Sequence, residues 1–224
     1  MIVIGTVAGP EDNELLQWAE HWKNRGRLLI LIQGTAKWFG SRIYEELQKI
    51  APDSDIIPVL PVGNPDVHWN SLMTIASAMD EYEGLLIKGT DEYMTDACWD
   101  AMVTAVNADP GAMVFWIYRK DMFDGNHFDE MPGDYQPTFV RGVPMRFGVH
   151  FHQYPQPACP VDLIRYLPDT IYVEHRRSAG KTIKANRDRE KIARPQEANI
   201  QNTFLTKLFN AYKARGLKWP EEQK

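Results

Sequence analysis

The chain has 224 residues, of which 44% are hydrophobic and 25% charged, and a formal net charge of −5. That length suits one domain with a substantial core, and the balance excludes collagenous, wholly disordered and membrane-embedded classes. The longest apolar runs, 28–32 and 113–117, fall far short of the roughly 20 residues of a spanning helix, so no membrane insertion is expected. Cys98 and Cys159 form no disulfide framework and no zinc-type spacing, which points to a reducing cytoplasm.

Strand-like and helix-like stretches alternate from the start. Residues 2–5 make an apolar strand rather than the charged flank and long apolar stretch of a signal peptide. Leu15, Trp18, Ala19 and Trp22 follow at helical spacing, after the start signals Pro10, Glu11 and Asp12. A second apolar strand is expected over 28–32, and Ile43, Leu47 and Ile50 mark a helix that stops before Pro52. A third strand over 56–60 precedes a helix carrying Trp69, Leu72, Met73 and Ala76. The fourth strand, 85–87, runs into Gly89-Thr90-Asp91-Glu92. Thr95 then caps a helix whose buried stripe is Trp99, Met102, Val103 and Val106, and residues 113–118 close the series.

This order calls for an α/β fold with a mainly parallel sheet and helices on both faces. After Lys120 the texture changes. Residues 121–136, rich in Gly, Pro, Asp and Asn, read as a long functional loop. Short strands are expected at 138–140, 146–151 and 171–173, with an irregular Pro-rich stretch at 154–160 and an amphipathic helix over 196–213. The organisation expected is one domain in two halves, residues 1–120 and 121–224. Charge is uneven as well. Residues 174–218 hold 12 Lys/Arg against 4 Asp/Glu, which suggests phosphate contacts or a solvated helix surface.

The sharpest motif is the acidic turn after the fourth strand. In an open parallel sheet, ligands gather beyond the carboxyl ends of the strands, so Asp91 and Glu92 would line a crevice. Two acids repel a phosphate unless a divalent cation intervenes, and Mg²⁺ or Mn²⁺ accepts such oxygen ligands while bridging to a diphosphate. An acidic helix start, favoured by the helix dipole, is the plainer alternative.

The run Gly89-Thr90-Asp91-Glu92-Tyr93-Met94-Thr95, between an apolar strand and an amphipathic helix, resembles the DxD region of GT-A glycosyltransferases, closest to family-2-like members. The stretch 2–8 followed by Glu14-Leu15-Leu16 is similar to that fold's first strand, nucleotide-contacting loop and first helix, and Asn70 sits where the family often has an Arg-Asn pair. The resemblance covers roughly residues 1–118. It implies a GT-A (nucleotide-diphospho-sugar transferase) fold and a donor site using Thr6, Val7, Ala8, Gln33, Asn70, Thr90 and Asp91. The sequence departs from the family in three places: Gly89 stands where a strict motif has its first acid, Gln33-Gly34 ends the second strand in place of an acidic cluster, and Trp69 replaces the arginine.

A second constellation is Tyr172-Val173-Glu174-His175-Arg176-Arg177 with Gly180-Lys181. His175 resembles the late histidine that completes the metal site in this family, which implies Mn²⁺ beside Asp91. Arg176 and Lys181 are suited to the charge of a leaving diphosphate. Asp129 and Glu130 resemble a Phe-Asp-Glu near the family's catalytic base, and His152, in His150-Phe151-His152, is the other candidate to take the acceptor's proton. Most of the seven tryptophans fall on core stripes; Trp38 and Trp69, near loop edges, are the two suited to sugar stacking.

The expectation is a metal-dependent hexosyl- or pentosyltransferase moving a sugar from a nucleotide-diphosphate donor to a hydroxyl. The basic segment makes a modified nucleic-acid base one possible acceptor. Two other classes stand beside it. A sugar-nucleotide nucleotidyltransferase usually bears a Gly-rich basic loop after the first strand, and Thr6-Val7-Ala8-Gly9-Pro10 lacks the base. A non-catalytic nucleic-acid-binding protein would show steeply salt-dependent binding without metal-dependent nucleotide affinity.

Overall fold

In the computed structural model, the described residues are 1–9, 12, 14–34, 41–61, 66–129, 131, 133–147, 156–180, 182–183 and 195–219. They form two compact units: residues 1–118 with 135–173, and residues 119–134 with 174–224.

The first unit begins with the expected alternation: β1 (Ile2–Ala8), α1 (Leu15–Trp22), β2 (Arg27–Gln33), α2 (Arg42–Ile50), β3 (Asp55–Val59), α3 (Asp66–Ser77) and β4 (Gly84–Ile87). A two-residue strand β5 (Glu92–Tyr93) and α4 (Asp96–Ala108) lead to β6 (Val114–Phe123). β7 (Asn126–His127) and β8 (Asp134–Val140) follow, then β9 (Met145–Arg146), β10 (Gln156–Pro157), β11 (Ile164–Tyr166), β12 (Tyr172–Arg177) and α5 (Pro195–Ala214). In the first unit the strands lie in the order β3-β2-β1-β4-β8-β6, with β11 on β6.

β1, β2, β3 and β4 are mutually parallel. Their apolar runs are covered on both faces. Ile4, Ile30, Ile32 and Leu86 pack towards Leu15, Trp18, Trp22 and α4, while Val3, Leu29, Leu31 and Leu85 pack towards Leu72, Met73 and Ala76 of α3. Each fully buried large side chain of this kind contributes about 1.5–3 kcal/mol. The stripe expected on α1 is buried as read; on α3 Leu72, Met73 and Ala76 are buried and Trp69 is half-buried, and on α4 the buried residues are Cys98, Met102 and Val106, with Trp99 and Val103 packing half-buried at the edge.

The sheet is mixed and not purely parallel. β8 enters beside β4 in the antiparallel sense, with Leu85 opposite Val140 and Leu86 opposite Phe139. The cause lies in residues 121–136, which are not a long loop. β6 continues to Phe123 and turns through Asp124 (φ 47°) and Gly125 (φ 79°) into β7, with Phe123 opposite Asn126. Positive φ at both central residues of a two-residue connection is the hairpin turn that Asp-Gly favours. The chain then returns along β8, which reverses the strand direction.

The second unit has its own small core: Phe123, Phe128, Met131, Ala179, Leu208, Ala211 and Tyr212, with Phe204, Leu217 and Trp219 against them. The terminal helix expected over 196–213 is α5, whose Leu208, Ala211 and Tyr212 face this core. Tyr212 donates from its hydroxyl to Asp124 at 2.7 Å, and Ala179 donates its N–H to the same carboxylate at 3.2 Å, which ties the hairpin turn to the helix.

Candidate functional site

The turn after β4 is fixed from all sides. Glu92 donates its N–H to the Gly89 carbonyl at 3.1 Å, closing the turn. Its side chain faces inward, accepting from the Gly89 N–H at 3.0 Å and from the Lys88 ammonium at 3.4 Å. Lys88 is fully buried and Glu92 nearly so. Glu92 is therefore part of the scaffold, because the buried Lys88 charge requires a partner. The Trp22 indole N–H donates to the Glu92 carbonyl, and the Tyr93 hydroxyl donates to the Thr90 carbonyl. Beyond the turn, the Met94 N–H donates to His21 Nε2, and Arg25 bonds His21, the Met94 carbonyl and Asp96 while lying over the Trp22 ring.

Asp91, by contrast, is half-buried. A Cβ added at Gly89 would stand 2.8 Å from Asp91 Oδ1. A side chain at position 89 would require only that the Asp91 carboxylate turn aside. The neighbouring Thr90 hydroxyl donates to Asp12 Oδ2 at 2.8 Å, and Asp12 Oδ1 accepts the Glu14 N–H at the start of α1. Two loops at the carboxyl ends of adjacent parallel strands are thereby joined, and each brings a carboxylate. Sequence reasoning took Asp12 only as a helix start signal. The signal that would have found it is an acid in the loop after β1, a strand hydrogen-bonded to β4.

The remaining donor-side residues are placed as follows. Thr6 is closed off in β1, its hydroxyl without a partner among the described residues, and Ala8 is buried, while Val7 and Gln33 are half-buried. The Asn70 amide is engaged with the backbone of Phe147, donating to its carbonyl at 3.1 Å and accepting its N–H at 2.9 Å. Trp69 packs its ring against Phe147 at 6.1 Å. A cavity of about 280 Å³, lined by Lys23, Arg27, Asp53 and Ser54 among others, lies at the amino ends of β2 and β3, opposite the acidic turn.

In the second unit, His175 is 7% exposed on β12. Its Nδ1 is 2.8 Å from Asp121 Oδ1, and Arg177 Nε lies 3.1 and 3.2 Å from the two ring nitrogens. Burial works against ionisation of Asp121. The hydrogen bond with His175 and the charges of Arg177, His175 and Arg119 outweigh it and hold the carboxyl below its ordinary value of 3.8. The Asp121 carboxylate at Nδ1 holds the ring's orientation, and the Arg177 guanidinium lies against both ring nitrogens, Nε2 included. Asp121 is hidden in the sequence because the charged run Arg119-Lys120-Asp121 masks the continuation of β6. Arg176 pairs with Glu174 at 2.8 Å, and Asp129 is exposed, 3.9 Å from His127. Glu130, His152, Lys181 and Trp38 lie outside the described residues.

Among the described residues no three His, Cys, Asp or Glu side chains gather as a metal-holding group, and no helix is long and apolar enough to cross a membrane.

No protein-family model matches the sequence, and no curated protein matches it. Among solved structures, the chain is similar to S. aureus TarS. The TarS 1–349 structure matches at 11% identity over 95% of this chain and 72% of that one, with a TM-score of 0.50. A longer TarS structure matches at 12% identity over 94% of this chain and 43% of that one, with a TM-score of 0.51. The likeness is one of fold. It extends over nearly all of this chain and under half of the longer TarS chain.

Proposed function

We propose that the chain is a glycosyltransferase of GT-A fold that moves a hexosyl or pentosyl group from a nucleotide-diphosphate donor to a hydroxyl acceptor with the help of a divalent metal. The observation that carries this reading is the Thr90–Asp12 hydrogen bond, which draws the loops after β1 and β4 together beside Asp91. The shared architecture with TarS, a GT-A-type glycosyltransferase, supports it.

Asp91 would hold Mn²⁺ or Mg²⁺, with His175 as the candidate nitrogen ligand. The carboxylates present suit a hard cation that keeps several waters and takes its other ligands from the donor's phosphates. The ion supplies neutralisation of the diphosphate, whose charge grows as the sugar bond breaks. The chain's own residues do the rest. Val7, Gln33 and the loop bearing Asp12 present the nucleotide side of the crevice. Lys88, Glu92 and His21 keep the turn rigid, so that Asp91 does not reorganise when charge develops. Asp129, Glu130 and His152 are the groups proposed to take the acceptor's proton, and Arg176 and Lys181 those that meet the leaving diphosphate.

The test is a thermal-shift screen of nucleotide sugars with and without Mn²⁺. Stabilisation follows ligand affinity by mass action, so a donor held through the metal raises the midpoint only when both are present. Asp91→Ala is expected to abolish the metal-dependent part. A shift that is the same without Mn²⁺, or unchanged in Asp91→Ala, sinks the proposal.

A further inference from the structure

Four aromatic side chains, none of them part of the acidic turn, gather at one end of the first unit. Trp116 and Tyr118 lie on β6, Tyr135 opens β8 and Tyr166 ends β11. β11 runs parallel to β6 with Tyr166 opposite Trp116, and their rings stack at 5.5 Å and 24°. Tyr135 stands edge-on to Tyr166 at 5.5 Å and to Tyr118 at 5.4 Å. Because β8 is antiparallel to β4, its first residues lie at the end of the sheet where β4 finishes. Tyr135 therefore stands towards the same end as Thr90 and Asp91.

A ring cluster in a core would be covered. Here Tyr166 is 63% exposed, with its inner face resting on Trp116. The Trp116 indole nitrogen is shut off from solvent and has no acceptor among the described residues, so this ring is held through its face and not through a hydrogen bond. The outcome is an aromatic surface edged by phenol hydroxyls. A pyranose has the complementary pattern, with a C–H face that stacks on a ring and hydroxyls around its rim. A nucleic-acid base would stack as well, but its phosphates call for cations. Arg165 falls on the opposite face of β11, where it pairs with Asp109 at 2.5 Å, so this strand sets no cation beside Tyr166. That charge pattern favours an uncharged saccharide.

We propose that Trp116, Tyr118, Tyr135 and Tyr166 form a stacking platform for a pyranose ring of a saccharide acceptor. This rests on the glycosyltransferase reading above and names the acceptor class. The experiment titrates the full chain with maltohexaose, cellohexaose and chitohexaose, following tryptophan emission, and repeats the titration with Tyr166→Ala and Tyr166→Phe. At least one saccharide is expected to bind saturably. Tyr166→Ala should weaken it roughly tenfold and Tyr166→Phe, which keeps the ring, by no more than about threefold. The Mn²⁺-dependent donor shift should be unchanged in Tyr166→Ala.

The two readings fail separately. A wild-type chain without any donor shift removes the glycosyltransferase reading, whatever the saccharides do. A normal donor shift with no saccharide binding, or with binding indifferent to Tyr166→Ala, overturns the platform. Binding of a single-stranded oligodeoxynucleotide that is lost in Tyr166→Ala, in place of saccharide binding, also overturns it and assigns the rings to nucleobases.

Discussion

At the end of β4, the Glu92 carboxylate sits beside an ammonium wholly closed to solvent, accepts a backbone N–H, and belongs to a turn of fixed shape. In the second unit, the Asp121 carboxylate is partly open, at 16% exposure, and is shared between an imidazole and a guanidinium. Both are ion pairs near a strand end. The first is a structural anchor that holds a charge wholly closed to solvent; the second is an orienting contact whose strength depends on protonation. The difference shows that an acid's role follows from how far its partner is desolvated, and that adjacent acids such as Asp91 and Glu92 can part company.

The largest expected effect breaks the anchor. Glu92→Ala leaves Lys88 buried without this carboxylate and should lower unfolding stability by about 3–5 kcal/mol, measured by urea denaturation. Lys88→Met removes the charge and fills similar volume, while Glu92 keeps its bond from the Gly89 N–H, so its cost should be clearly smaller. A Lys88→Met loss as large as that of Glu92→Ala would mean that an ammonium left buried without this carboxylate is not what makes Glu92→Ala costly, and the contrast drawn with Asp121 would go.

Much of the first unit was legible in the sequence, because its strands are buried on both faces and its helices repeat at a strict helical period. Trp18, Trp22, Leu72 and Met73 landed in the core for that reason. What failed was the reading of polar stretches. Residues 119–123 carry charge because only part of β6 is deeply covered, and Asp124-Gly125 was taken as loop composition instead of as a hairpin turn. In the candidate site, the position of Asp91 after a buried strand was readable. The inward course of Glu92, the link from Thr90 to Asp12 and the pairing of Asp121 with His175 were not. Each joins residues 54 to 78 positions apart, or turns on which of two neighbouring acids finds a buried cation.

A middle-sized effect sharpens the other side of the comparison. Asp121 lies below its ordinary value of 3.8, so its ionised pair stabilises the fold fully above that pH and is lost as pH falls through the folded value. Asp121→Asn should cost about 1.5–3 kcal/mol at pH 7, the range for a hydrogen bond to a charged group. The gap to the wild type should begin to narrow as pH falls through 3.8, where the unfolded chain takes up the proton, and close only below the folded value. Urea midpoints measured from pH 7 downward through pH 3.8 test this; a gap that does not narrow as pH falls below 3.8 would assign Asp121 a packing role.

The smallest effect concerns the helix that carries the chain away from the acidic turn. Thr95 caps α4, its hydroxyl accepting the Cys98 N–H at 3.2 Å from an extended backbone (φ −68°, ψ 160°). Thr95→Ala should cost about 1 kcal/mol and Thr95→Ser almost nothing, since the bond needs only the oxygen. The cap lies one residue past Met94, whose N–H is bound by His21 and whose carbonyl is bound by Arg25. Those contacts, with Lys88 and Glu92, hold the turn without help from the helix start. The Mn²⁺-dependent donor shift should therefore survive Thr95→Ala at full size. A shift that shrinks along with the cap would show that Asp91 is positioned by α4, and would move the anchor of the site from the buried ion pair to the helix.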